Sequence, residues 1–131
     1  MKLKYIVMLL LFMVIALLYF FINPSEVNFL PKCPLYVSTG IYCPGCGSQR
    51  ATHNLLNFNF LGILQQNVLY AFGLVLITYH LIVISLNTFL NKNFKNYLFY
   101  KKVPLFILAI IILFWILRNI PYYPFNLLAP H

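Results

Sequence analysis

The chain has 131 residues, of which 63% are hydrophobic and only 8% charged, with nine Lys/Arg against a single acid, Glu26. A soluble domain carries about 25% charged and about 45–50% apolar residues, so water is the wrong solvent for this chain and an integral membrane protein is expected. With no Asp and one Glu, no carboxylate pair exists for glycoside hydrolysis, no acidic cluster for Mg²⁺ or Ca²⁺, and no Ser-His-Asp triad. Neither GxGxxG nor GxxxxGK[ST] occurs, so nucleotide phosphates find no cradle. The net charge of +8 mostly flanks apolar runs, which reads as a juxtamembrane signal and not as a nucleic-acid surface.

The first apolar run is Tyr5 to Ile22, behind Lys2 and Lys4. At 1.5 Å per residue it reaches roughly 27 Å, close to a bilayer core of about 30 Å. It is longer than a signal-peptide core and no small-x-small cleavage site follows, so a retained span is expected, stopped by Asn23-Pro24. The second run, Val68 to Leu86, holds Gly73, Thr78, Tyr79, His80 and Ser85, small and polar residues that suit helix–helix contact in lipid. No carboxylate lies in any span to pair with His80, so it is expected to hydrogen-bond a neighbouring span. The third run starts at Val103 with Pro104 in its first turn and continues to Leu117 and, if Arg118 snorkels outward, to Ile120; Pro121 ends it. Trp115, Tyr122 and Tyr123 fit an interfacial aromatic belt.

Three spans place the N-terminus and the loop from Asn87 to Lys102 on one side. That side holds Lys2, Lys4, Lys92, Lys95, Lys101 and Lys102, and the other holds Lys32, Arg50 and Arg118. Six against three makes the first side cytoplasmic, with the loop from Asn23 to Asn67 and the C-terminus outside. The reading is a single membrane domain over 1–131, with spans at about 5–22, 68–86 and 103–120 and a Cys loop at 23–67.

All three cysteines lie in that loop, at Cys33, Cys43 and Cys46. In Cys43-Pro44-Gly45-Cys46-Gly47, proline fixes one dihedral and glycine permits positive φ, so a tight turn lets two sulfurs converge. Ser48 is expected to cap a short helix from Gln49 to about Phe58. Leu55, Leu56 and Phe60 suit such an interfacial or re-entrant helix to the membrane surface.

The loop resembles the signature of a family of small bacterial membrane proteins known as domain of unknown function 2752. That pattern is a Cys, a Thr-Gly pair, Cys-Pro-x-Cys-Gly and Thr-Arg-Ala, matched here by Cys33, Thr39-Gly40, Cys43 to Gly47 and Gln49-Arg50-Ala51. The family often continues with a His, a Gly-Asp and an Asn-Pro. His53 and Asn67 fit, while Phe58-Asn59 stands for Gly-Asp and Val68 for Pro. The tail Arg118-Asn119-Ile120-Pro121 and Pro124-Phe125 is similar to the family's ending. The resemblance implies a protein of the bacterial cytoplasmic membrane and brings no reaction with it.

Three readings of the sulfurs stand side by side. A structural disulfide from Cys33 to the turn would close a loop of about ten residues and contribute up to ~3 kcal/mol. A metal site would take Cys33, Cys43 and Cys46, with His53 as fourth ligand to zinc. A redox site would use Cys43 and Cys46 with Cys33 resolving, its thiolates favoured by a helix N-terminus and Arg50. The fold expected is all-α: three transmembrane helices plus one short outer helix. The favoured function is a non-enzymatic membrane-complex component with a Cys-rich docking loop, partnered by the bilayer and by a membrane protein or a second copy, without nucleic acid. A membrane thiol-disulfide oxidoreductase is the alternative.

Overall fold

Helix α1 (Lys2–Phe21) contains no Gly or Pro, so nothing interrupts its hydrogen-bond ladder. It stops where Pro24 cannot continue it. The Asn23 carboxamide accepts from the Ser25 N–H at 3.0 Å and donates to Glu26 at 2.9 Å, which engages the chain's only acid. This computed structural model describes residues 2–27, 32–90 and 93–130; Lys92 and His131 lie outside the described residues. From Leu3 to Phe21 nearly every side chain is exposed, a continuous apolar surface.

Four further helices follow before the basic loop: α2 (Pro34–Thr39), α3 (Ser48–Leu56), α4 (Phe60–Gln66) and α5 (Val68–Leu90). After the loop comes α6 (Val103–Leu117), and no strand occurs among the described residues. Two helices, Leu3–Phe21 and Val68–Leu90, are long and apolar enough to cross a membrane. The third apolar helix ends at Leu117, without the conditional extension to Ile120. Its 15 residues reach roughly 22 Å, because residues on both flanks are used otherwise. Upstream, the 3₁₀ turn Tyr97–Phe99 folds back against α5: the Tyr97 N–H donates to the Tyr79 hydroxyl at 3.3 Å. Downstream, Asn119 and Ile120 close turns onto Ile116 and Leu117. His80 therefore meets the loop and not a neighbouring span. The Asn96 amide donates to His80 Nδ1 at 2.6 Å, and Phe99 packs edge-on at 5.5 Å.

The helix expected from Gln49 to about Phe58 is α3, and a second short helix, α4, follows it. α3 ends at Leu56, and Phe58 takes a left-handed conformation with φ of 56°. The Asn59 carboxamide then accepts from the Gly62 N–H at 3.0 Å and caps α4. This explains the departure from the Gly-Asp pattern: Phe58 occupies the positive-φ place that suits glycine, and Asn59 the capping place that suits Asp. α3 and α4 form a hairpin whose open side rests on the end of α1. There the His53 Nδ1–H donates to the Tyr19 carbonyl at 2.7 Å, and Asn57 donates to the Phe20 carbonyl at 3.2 Å. Ser48 is not the N-cap. That position belongs to Gly47, with φ of 85°, while Ser48 Oγ donates to the Gly45 carbonyl at 2.7 Å.

Candidate metal centre

The three cysteines arrive from two short pieces of chain. Cys33 immediately precedes α2, whose first residue, Pro34, needs no N–H partner. α2 lasts six residues and is ended by the Thr39-Gly40 pair. Gly40 adopts φ of 72° and its N–H donates to the Tyr36 carbonyl, while Thr39 Oγ1 donates to the Leu35 carbonyl at 2.6 Å. This stop returns the chain to Tyr42, whose ring stacks on Tyr36 at 4.5 Å, and so brings Cys43 back beside Cys33. In the turn that follows, the Cys46 N–H donates to the Cys43 carbonyl at 3.1 Å, and the Cys43 N–H donates to Cys46 Sγ at 3.2 Å.

The sulfurs of Cys33, Cys43 and Cys46 lie within 4.8 Å of one another. Cys43 and Cys46 are 3.3 Å apart, well beyond a disulfide's ~2.05 Å, and all three cysteines are free, so the disulfide reading is corrected. Zinc holds sulfur at about 2.3 Å, and three such sulfurs around one ion stand about 3.7 Å apart, so this set fits a thiophilic ion with little movement. His53, the expected fourth ligand, is not in the cluster. A carbonyl can only accept, so His53 Nδ1 carries its hydrogen and is spent on Tyr19. Its position in the second turn of α3 turns it to the end of α1.

The thiols are not equivalent. Burial pushes the Cys33 thiol up, but hydrogen bonds from the Tyr36 backbone, the Cys43 and Cys46 thiols and the Leu35 backbone outweigh it and bring it down to about 7. Burial pushes Cys46 up to about 12, reinforced by its donation to the other two sulfurs. In the metal-free protein Cys33 therefore ionises more readily than Cys46.

Four residues far away in sequence hold the turn in place. Arg118, 1% exposed, donates from Nη1 to the carbonyls of Cys43 at 3.1 Å and Cys46 at 3.2 Å, and from Nη2 to Cys46 again at 3.2 Å. Phe114 and Tyr42 cover the guanidinium at 5.0 and 5.7 Å. Asn67, 2% exposed, donates to the carbonyls of Pro44 at 2.9 Å and Cys46 at 3.0 Å, while its oxygen accepts from the Tyr70 N–H and caps α5. Asn119 grips Tyr42 from both sides, accepting from its N–H at 2.8 Å and donating to its carbonyl at 3.0 Å. Trp115 Nε1 donates to the same carbonyl at 2.9 Å. Arg118 as a snorkelling anchor, and Trp115 as a belt residue alone, are thus corrected: buried carbonyls are stronger partners than a distant interface. The available signal was the Arg-Asn pair at the end of an apolar helix, with Asn67 directly before another.

Residues 33–81 match the family model described as protein of unknown function (DUF2752). This is the family whose signature the Cys loop resembles, and the match bears that reading out. It covers α2, the Cys turn, α3, α4 and the N-terminal part of α5, and ends before Arg118 and Asn119. No curated protein and no solved structure matches the chain significantly.

Proposed function

We propose that the chain is a three-span protein of the bacterial cytoplasmic membrane whose Cys turn holds a zinc ion on its outer face. Cys33, Cys43 and Cys46 are the ligands, and the fourth position is left for water or for a donor from a membrane partner. The observation that carries this reading is the convergence of three thiol sulfurs within 4.8 Å on a turn held by buried side chains. Charge supports it. A divalent ion on three thiolates keeps one net negative charge, and the Arg118 guanidinium, whose field reaches all three cysteines, offsets it. The single acid, Glu26, is engaged with Asn23, so the buried cation finds its complement at the centre. Bound there, zinc would rigidify the turn as a docking platform. The topology rests on the basic-residue bias, with the N-terminus inside.

Elemental analysis of the protein purified without chelator tests the site. One zinc per chain is expected, lost in Cys33→Ser, Cys43→Ser and Cys46→Ser and retained in His53→Ala. Metal-free protein that stays metal-free after zinc is added to the reduced form removes the reading. The thiol-disulfide exchange alternative, by Cys43 and Cys46 with Cys33 resolving, is motivated by the same three thiol sulfurs within 4.8 Å of one another. A Cys43–Cys46 disulfide formed and re-reduced during turnover of a dithiol substrate, with no zinc bound, would establish that alternative instead.

A further inference from the structure

Every backbone oxygen from Tyr42 to Cys46 is engaged by a donor. The Tyr42 carbonyl accepts from Asn119 and Trp115, and those of Cys43 and Cys46 from Arg118. The Pro44 carbonyl accepts from Asn67, and that of Gly45 from both the N–H and the hydroxyl of Ser48. His53 is turned to Tyr19, and among the described residues no further His, Cys or carboxylate joins the three sulfurs. What the turn presents to an ion is therefore three sulfurs and no oxygen or nitrogen.

Metal ions differ in how they meet such a set. Zinc completes a tetrahedron, so here it must recruit a fourth donor from outside the turn. A cuprous ion is softer, prefers thiolate to water or carbonyl oxygen, and is satisfied by three sulfurs in a plane. Cys43 and Cys46 alone would hold it between two ligands. Cys33, returned to them by the helix stop at Gly40, adds the third within 4.8 Å of both. A cuprous ion on three thiolates carries two negative charges. Arg118 offsets one of them, and a chain of net charge +8 makes the other less costly.

We propose that cuprous ion displaces zinc from this centre and thereby regulates it, an inference that rests on the zinc reading. In the zinc form a fourth position is open to a partner's donor. In the cuprous form three sulfurs complete the shell and that position closes, so the platform loses its point of attachment. The exchange places Cu⁺ where Zn²⁺ was, on the same three thiolates. No thiolate is oxidised, no proton moves, and the centre becomes one unit more negative.

The test titrates the zinc-loaded full chain, in detergent and without oxygen, with cuprous ion supplied as its acetonitrile complex. A chromophoric indicator reads released zinc, and X-ray absorption identifies the neighbours of each metal. One zinc released per cuprous ion is expected, with three sulfurs and one lighter donor around zinc and three sulfurs alone around copper. Against a competing chelator, Cys33→Ser should weaken copper by about tenfold or more and leave two sulfur neighbours, whereas His53→Ala should leave copper binding unchanged. Zinc that stays in place at one equivalent of cuprous ion, or copper held by two sulfurs in the unsubstituted chain, overturns the proposal and leaves the zinc reading intact. A chain that takes up no zinc removes that reading, and the displacement with it.

Discussion

Along α1 nearly every side chain from Leu3 to Phe21 faces outward, whereas the Cys turn buries Cys46, Asn67 and Arg118 against one another. The first region is held by its own ladder and by the solvent it chooses. Its helix is long and apolar enough for a bilayer, and it satisfies its own backbone. The second region has little regular structure, so its carbonyls need partners from elsewhere. Asn67, Arg118 and Asn119 supply them across gaps of more than twenty residues. Single substitutions should therefore be mild along α1 and severe at the platform.

The largest contrast lies among the sulfurs themselves. In reduced, chelated protein, alkylation of Cys33 should rise as pH passes through about 7 and level off above it, because its lowered value makes the thiolate the major form there. Cys46, pushed up to about 12 and buried, should react at least about a hundredfold more slowly at pH 8. Mass mapping of iodoacetamide adducts against time checks both; equal rates would show that the turn does not separate the thiols.

Arg118→Met should come next. It leaves buried carbonyls of Cys43 and Cys46 without their donor and should destabilise the fold by about 3–4 kcal/mol in thermal unfolding in detergent. Leu10→Ala, in the exposed stretch of α1, should change it by less than about 1 kcal/mol. Comparable losses in the two variants would erase the distinction between the regions.

Gly47→Ala probes the turn from its backbone. Gly47 has φ of 85°, and an added Cβ would lie 2.4 Å from the Gln66 carbonyl oxygen, so neither conformation nor space admits a side chain. A loss of about 2–3 kcal/mol is expected, with zinc content falling in parallel. Phe58→Gly should act in the opposite direction. Its left-handed backbone is strained for phenylalanine and its ring is exposed, so melting should rise by the equivalent of about 0.5–1 kcal/mol. Ser48→Ala should be the smallest change, about 0.5 kcal/mol, since Gly47 holds the cap position and only the exposed bond to Gly45 is lost. A loss of a full cap, ~1 kcal/mol or more, would return Ser48 to the role its sequence position implies.

What the sequence determined by itself was the solvent and the local chemistry. Long, predominantly apolar runs specify α1 and α5, because a helix pairs their backbone groups within the segment itself. Pro-Gly between Cys43 and Cys46 specifies a turn, since both residues act through their own dihedrals. The resemblance carried by Cys33, Thr39-Gly40 and the Cys turn also survived, because these are local devices: a helix start, a helix stop and a bend. Only the tertiary structure decided the rest. His53 faces α1 and not the sulfurs, Arg118 turns inward, His80 meets Asn96, and α6 ends at Leu117. Each of these depends on which carbonyls are left unpaired by a distant segment, and a donor's choice among them is an energy difference between whole arrangements, invisible in its own neighbours along the chain.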